Sequence, residues 1–400
     1  IELAVRDKVS SALMRVYIDS SFVLKKMEDN GPFCDFQQSA LLSELYMARI
    51  RRLKLDLIAM IGDPVVSMDS KHLGNPKYIA SLLYGKWNLG RFLRGGVQDT
   101  RHETLKILAG HHKFPALLDE YRTLVKAKST YIDGYATRAR KTNGALHTFY
   151  WLTGTSTGRL SSGGDDMEAD DVSVNLQNVH GNKHIKNLLV VSRDWRKDKS
   201  QIFLAFDESQ MEVRDIAEHG NDTNLLGVFQ RGEDPHSQIG HAITGWPVSK
   251  IQEDEGIRVV VKGMVFRIMY EYDTSGYGLA AALRAKGVTE FAGRELTSDV
   301  VGEYLEKLFQ QYPGIRKYRE DKVREAKQTG RVTNQLGFYR QIRVVENSSH
   351  WKNIAINTPI QGEAHQIMLI AFAIMKRNPI KYRLLLNSPV MEVHDEFCCR

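Results

Sequence analysis

The feature that most constrains the fold is a pair of short apolar runs, far apart in the chain, each leading to an aspartate. Gln201 to Phe206 stops at Asp207, and a run that begins near Val390 leads into His394-Asp395-Glu396. Runs of this length suit buried strands. The text from 250 to 345 between them is helical, with breaks at Gly276, Pro313 and Gly330. The first 150 residues also read as mostly helical. Leu41, Leu45, Ala48, Leu53, Leu57 and Ile58 recur at three- and four-residue steps up to Gly62, and Asn75-Pro76 is a good helix start. A polar stretch rich in Thr, Ser, Gly and Tyr runs from Lys126 to about Asn178, and an apolar helix is expected at Ile367–Met375, after Pro359. This order of helices, mixed region, helices and mixed region fits an α+β class, with a helical insertion in the core.

Composition narrows the field. At roughly 150 residues per domain, 400 residues imply two or three domains. The longest apolar run is far too short to span a bilayer, so no membrane partner is expected. Cys34, Cys398 and Cys399 form no disulfide framework and have no zinc spacing, which points to a reducing, intracellular setting. A net charge of +7 hints at a polyanionic partner. The chain opens at Ile1 with neither Met nor a signal-peptide pattern, which raises the expectation of a piece of something longer.

Three groups of residues could carry chemistry. Asp207 and Asp395 stand at or near strand ends, where two carboxylates could meet and hold divalent ions through hard oxygen ligands; an acid there is also a common turn or cap residue. Arg258, Lys262, Phe266 and Tyr270 are spaced by four. On a helix they drift only about 40° per step and share one face over roughly 18 Å. Two cations followed by two aromatics suit a nucleoside triphosphate, and equally a basic helix with an aromatic core edge. The stretches Thr157–Ser162 and Asn175–Asn178 are dense in short hydrogen-bonding side chains that suit phosphate or minor-groove contacts, or ordinary turns.

In this order and spacing the segments resemble the family A DNA polymerases, the bacterial DNA polymerase I type that also includes phage and organellar enzymes. Asp207-Glu208-Ser209-Gln210-Met211-Glu212-Val213-Arg214 is similar to the family's motif A, usually DYSQIELR. Arg258 to Tyr270 matches motif B, RxxxKxxxFxxxY, and Val393-His394-Asp395-Glu396 matches motif C. Lys128–Asp133, TGRLSS, NLQN, Asp234-Pro235-His236, Gln311-Tyr312-Pro313 and Asn357–Gly362 fall where the family has counterparts, so the resemblance covers almost the whole chain.

The resemblance implies a right-hand polymerase fold with helical thumb (1–135), antiparallel-sheet palm (136–230 and 350–400) and helical fingers (231–349). It implies template-directed DNA synthesis from dNTPs on primer-template DNA, by a monomer whose processivity factor, if any, is unidentified. Asp207, Asp395 and the backbone carbonyl of Glu208 would hold two Mg2+ ions. Arg258, Lys262 and His236 would bind the triphosphate, with Lys262 able to protonate the leaving pyrophosphate. Phe266 and Tyr270 would pack near sugar and base, and Glu212 resembles a steric gate against a ribose 2′-OH. Arg159, Asn175, Gln177, Asn178, Gln361 and His394 would contact the primer-template, mainly through minor-groove acceptors common to all base pairs.

Several positions depart from the pattern. Glu208 replaces the usual Tyr, and Val265, Arg267 and Glu271 stand where motif B normally has Asn, Gly and Gly. Phe338-Tyr339 occupies a place often filled by arginines, and an acidic stretch from Gly163 to Asp171 lengthens a usually short link and is expected to point outward. The family's palm normally continues past motif C with the second half of its hairpin, so a cut at both ends is expected. Rival readings are a catalytically inactive primer-template-binding fragment, a single-subunit RNA polymerase, and a two-metal nuclease. The last would explain the aspartates but not the triphosphate helix.

Overall fold

The computed structural model describes residues 11–63, 65–68, 71–92, 98–163, 172–179, 181–285, 288–346, 348–393 and 396–400. The chain forms two compact units, both discontinuous in sequence. The larger takes residues 1–29, 149–162 and 204–400, and the smaller takes 30–148 and 163–203. The first helix, α1 (Ser11–Asn30), belongs almost wholly to the larger unit.

In the smaller unit, α2 (Phe36–Ile61) starts where Asp35 accepts from the Gln37 and Gln38 amides and ends at Gly62, whose φ of 63° closes the last turn. A short helix at Pro76–Ala80 begins with Asn75 as its cap, as its Asn-Pro pair dictates, and continues into a π-helical turn, Ser81–Lys86. Then come α3 (His102–Ala109), α4 (Lys113–Lys126) and α5 (Asp133–Lys141). Leu57, Ile61, Ile79, Leu83, Leu108 and Phe114 make the main core. A second cluster gathers Leu42, Ile132, Ile185 and Leu188.

The larger unit is built around a three-stranded antiparallel sheet. Its strands are β1 (Leu204–Asp207), β2 (Pro389–Val393) and β3 (Glu396–Cys399), in the order β2–β3–β1. Its longer helices include α6 (Met211–His219), α7 (Pro235–Thr244), α8 (Glu255–Tyr270), α9 (Gly276–Ala285), α10 (Ser298–Gln311), α11 (Pro313–Thr329) and α12 (His350–Arg377). One core holds Ile216, Ile239, Val261, Met264, Leu308, Tyr318 and Ile356; another joins Val23, Leu24 and Met27 of α1 to Leu369, Phe372 and Phe397. The α+β class follows: many helices around small antiparallel sheets.

Four expectations change here. The Gln201–Phe206 run is a strand only from Leu204, and it is not buried: Leu204 and Phe206 are 45% and 47% exposed. β1 is an edge strand, and burial falls instead on β3 at the centre of the sheet. The motif C hairpin does have its second strand, since Glu396–Cys399 pairs with β2 on one side and β1 on the other. Pro359 does not precede a helix but lies inside α12. Pro359 sits in a helix most of whose faces are buried, and two nearby carbonyls take side-chain donors: Ile354 from Thr358 at 2.8 Å and Ile356 from Tyr318 at 2.6 Å. Of the acidic stretch only Gly163 is among the described residues; Asp165, Asp166, Glu168, Asp170 and Asp171 lie outside them. All three cysteines are buried thiols.

Candidate active site

The turn from β1 into α6 sets the site. Asp207 ends the strand, and three residues later Gln210 adopts φ 58° and ψ 36°, a left-handed conformation that costs a non-glycine residue of order 1–3 kcal/mol. The Gln210 side chain supports it by donating to Asp234 at 3.1 Å. The turn lets α6 present Glu212 to the same cleft as Asp207. That cleft, about 470 Å³, is lined by Arg159, Asp207 to Val213, His236, Lys262, Phe266 and Tyr270.

α8 supplies the opposite wall. Ile257, Val260, Val261, Met264, Val265, Ile268 and Met269 are buried, so Arg258, Lys262, Phe266 and Tyr270 fall on the remaining, more accessible face. Asp254 caps the helix by accepting from the Ile257 amide at 3.1 Å. The Phe266 and Tyr270 rings stack at 6.0 Å with 13° between planes, and Lys262 Nζ lies 5.6 Å from the Phe266 centroid. Arg258 is already engaged, donating to Asp234 Oδ2 at 2.7 Å and to Ser237 Oγ at 3.0 Å.

Asp234 and Glu212 organise the polar groups. Asp234 caps α7 through the Ser237 amide at 3.1 Å. Burial pushes its carboxyl up, but hydrogen bonds from Ser237 and Gln210 and the Arg258 charge outweigh this and hold it below its usual value. His236 is buried, and its Nε2 has no hydrogen-bond partner among the described residues. Burial lowers its pKa, with Lys262 and Arg258 adding to the effect, so the imidazole is neutral at pH 7. One Glu212 oxygen takes a bond from Arg159 and the other from the Tyr270 phenol. Burial, then the Glu212 charge, raises the Tyr270 phenol well above its ordinary value, so it remains a donor; Gln361 reaches the same phenol.

Of the sequence candidates, the cleft brings together Asp207, Glu208, Glu212, His236, Lys262, Phe266, Tyr270 and Arg159. Arg258 joins through Asp234, and Gln361 through Tyr270. Asp395 and His394 lie outside the described residues; Glu396, the next in the chain, is in register with Asp207 across β3 and β1. Asn175, Gln177 and Asn178 are in the smaller unit. There Asn175 caps a 3-10 turn and Gln177 is 6% exposed. Sequence reasoning did not assign Asp234 its role, although Asp-Pro at a helix start is a readable capping signal. Among the described residues no three His, Cys, Asp or Glu form a metal-holding group. The chemistry of Asp207, an exposed carboxylate at a strand end lining the cleft, nonetheless suits a hard divalent cation.

A strand-borne aspartate facing a helix of cations and aromatics is the arrangement of a nucleotide-handling polymerase, and the chain belongs to DNA polymerase family A, whose model matches residues 40–400. It is 28% identical to DNA polymerase I of Bacillus caldotenax, over 98% of this chain and 42% of that protein. It is 31% identical to DNA polymerase I of Geobacillus stearothermophilus, over 81% of this chain and 35% of that protein. The chain thus spans about two fifths of the length of these relatives. Among solved structures it is similar to the POL domain of Pol1 from M. smegmatis, in complex with DNA primer-template and dNTP. The TM-score is 0.78 at 25% identity, covering 96% of this chain and 63% of that one. The right-hand polymerase fold is therefore shared. Among the described residues no helix is long and apolar enough to cross a membrane.

Proposed function

We propose that this chain carries out template-directed DNA synthesis, adding dNTPs to a primer 3′-OH as a monomer inside the cell. The observation that carries the reading is that Asp207 and the Lys262–Phe266–Tyr270 row line one cleft. In this reading residues 1–135 act as thumb, 136–230 with 350–400 as palm, and 231–349 as fingers, a functional division distinct from the two compact units. Asp207, Asp395 and the Glu208 carbonyl would hold two magnesium ions, which when bound lower the pKa of the primer hydroxyl and stabilise charge during in-line displacement.

The chain's own residues do the rest. Lys262 and Arg258 attract the triphosphate, and a phosphate oxygen would have to displace Asp234 from Arg258. Neutral His236 offers an N–H to the same group, and Lys262 can pass a proton to the departing pyrophosphate. Phe266 and Tyr270 offer stacked apolar faces to base and sugar. Glu212, held by Arg159 and Tyr270, presents a fixed carboxylate that a ribose 2′-OH would crowd. Arg159, Asn175, Gln177, Asn178, Gln361 and His394 are assigned to the primer-template.

The test is primer extension with dNTPs against rNTPs. Asp207→Ala and Asp395→Ala should each abolish extension while primer-template binding is largely kept. Preference for rNTPs in the unmodified chain would sink the assignment. DNA binding without any extension would leave the inactive-fragment reading in its place.

A further inference from the structure

The C-terminal end of α8 is held from outside by side chains of two other helices. Asn357 of α12 donates to the Tyr270 carbonyl at 3.1 Å, and Asn353 of α12 accepts from the Tyr272 amide at 2.8 Å. Between them Arg319 of α11 donates to the Glu271 carbonyl at 2.8 Å and also to the Tyr272 carbonyl. Arg319 is 6% exposed, and its guanidinium lies 5.4 Å from the Tyr272 ring centroid and 5.3 Å from that of Phe309. Burial draws its pKa down to about 10, which leaves it charged at neutral pH.

Burying a guanidinium is costly unless its donors are used and its charge is compensated. Here Nη2 serves both carbonyls while Nε has no partner among the described residues, and the charge is offset by those carbonyls, just past the negative end of the α8 dipole, together with two ring faces. The carbonyls it binds follow directly on Tyr270, whose phenol is bonded to Glu212 in the cleft. A leucine or methionine would fill the same space without reaching those carbonyls, so packing alone does not account for an arginine.

We propose that Arg319 is a positioning residue for the nucleotide site: it fixes the C-terminal end of α8 and thereby sets Tyr270 and the Glu212 carboxylate that discriminates between sugars. The discrimination part rests on the polymerase reading above; the anchoring of the helix end does not.

The experiment compares the full chain with Arg319→Met and Arg319→Lys by two readouts. The first is amide hydrogen exchange over residues 264–274, which needs no activity. The Glu271 and Tyr272 amides, bonded to Arg267 O and Asn353 Oδ1, should exchange about tenfold faster in Arg319→Met, with α7 unchanged. The second is the ratio of kcat/KM for a dNTP to that for the matching rNTP. Loss of folded protein scales both terms equally, so the ratio responds only to geometry at the sugar. It should fall about tenfold in Arg319→Met and recover partly in Arg319→Lys, which keeps the charge without the planar fork. Should Arg319→Met fail to fold, Arg319→Lys alone must show smaller shifts in the same directions. Unchanged exchange at the end of α8 overturns the anchor, and faster exchange with an unchanged ratio reduces Arg319 to packing. A wild-type chain that incorporates no nucleotide overturns the polymerase reading and the discrimination role with it, and the exchange result then decides the anchor separately.

Discussion

Asp215 sits one helical turn beyond Glu212 on α6, and it faces inward. It is buried, with one carboxylate oxygen unpartnered among the described residues, and burial together with Glu363 and Glu212 raises its pKa to about 8. Glu363 itself accepts from the Gln335 amide and lies 3.0 Å from His219 Nε2. Between its ordinary value of 3.8 and about 8, the unfolded chain has released this proton while the folded chain retains it. Stability therefore falls as pH rises through that window. Asp215→Asn, which mimics the neutral acid, should differ little from wild type near pH 4 and be more stable by ~2 kcal/mol or more near pH 8.5. Thermal unfolding at the two pH values checks this. Glu212→Ala should raise ribonucleotide incorporation by about tenfold or more relative to dNTP, read in single-nucleotide extension.

At the scale of elements, the junction between α6 and α11 is set by two glycines. A Cβ on Gly314 would lie 2.5 Å from Asp222 Cβ, and one on Gly220 would lie 2.2 Å from the Gly314 carbonyl. Asp222 accepts from the Gly314 amide at 2.7 Å and from the Leu225 amide at 3.0 Å, so no side chain can enter without breaking a buried cap. Gly314→Ala should cost ~2 kcal/mol or more in denaturant unfolding. Gly62→Ala, with open space around it but a φ of 63°, should cost only ~1 kcal/mol. Elements with local signals were legible in the sequence. The Asn75-Pro76 start, the Gly62 stop and the four-residue row on α8 all depend on neighbours within a turn or two. Pro359 inside α12, the exposure of β1 and the bond between Arg319 and α8 depend on partners distant in the chain, and no local pattern encodes them. The Asp207–Glu396 register also joins residues distant in the chain, and the resemblance led to the opposite expectation, a hairpin cut before its second strand.

At the scale of the molecule, charge and topology remain. With 55 Lys and Arg against 48 Asp and Glu, the chain is only mildly cationic. Primer-template affinity should nonetheless fall about tenfold or more between about 50 and about 200 mM salt, with a linear log–log slope that counts the phosphates neutralised. Fluorescence anisotropy at several salt concentrations reads that slope, and a flat line would argue against a phosphate-bound duplex. The order of strands in the three-stranded sheet also bears on when the cleft can form. β1 meets its partner only in β3, nearly half the chain later. A chain under synthesis therefore carries Asp207 on a strand without that partner until Glu396–Cys399 has been made. Asp207 is thus made early and fixed in place late, so on the polymerase reading proposed above a nascent chain should show no primer extension before Glu396–Cys399 has been synthesised.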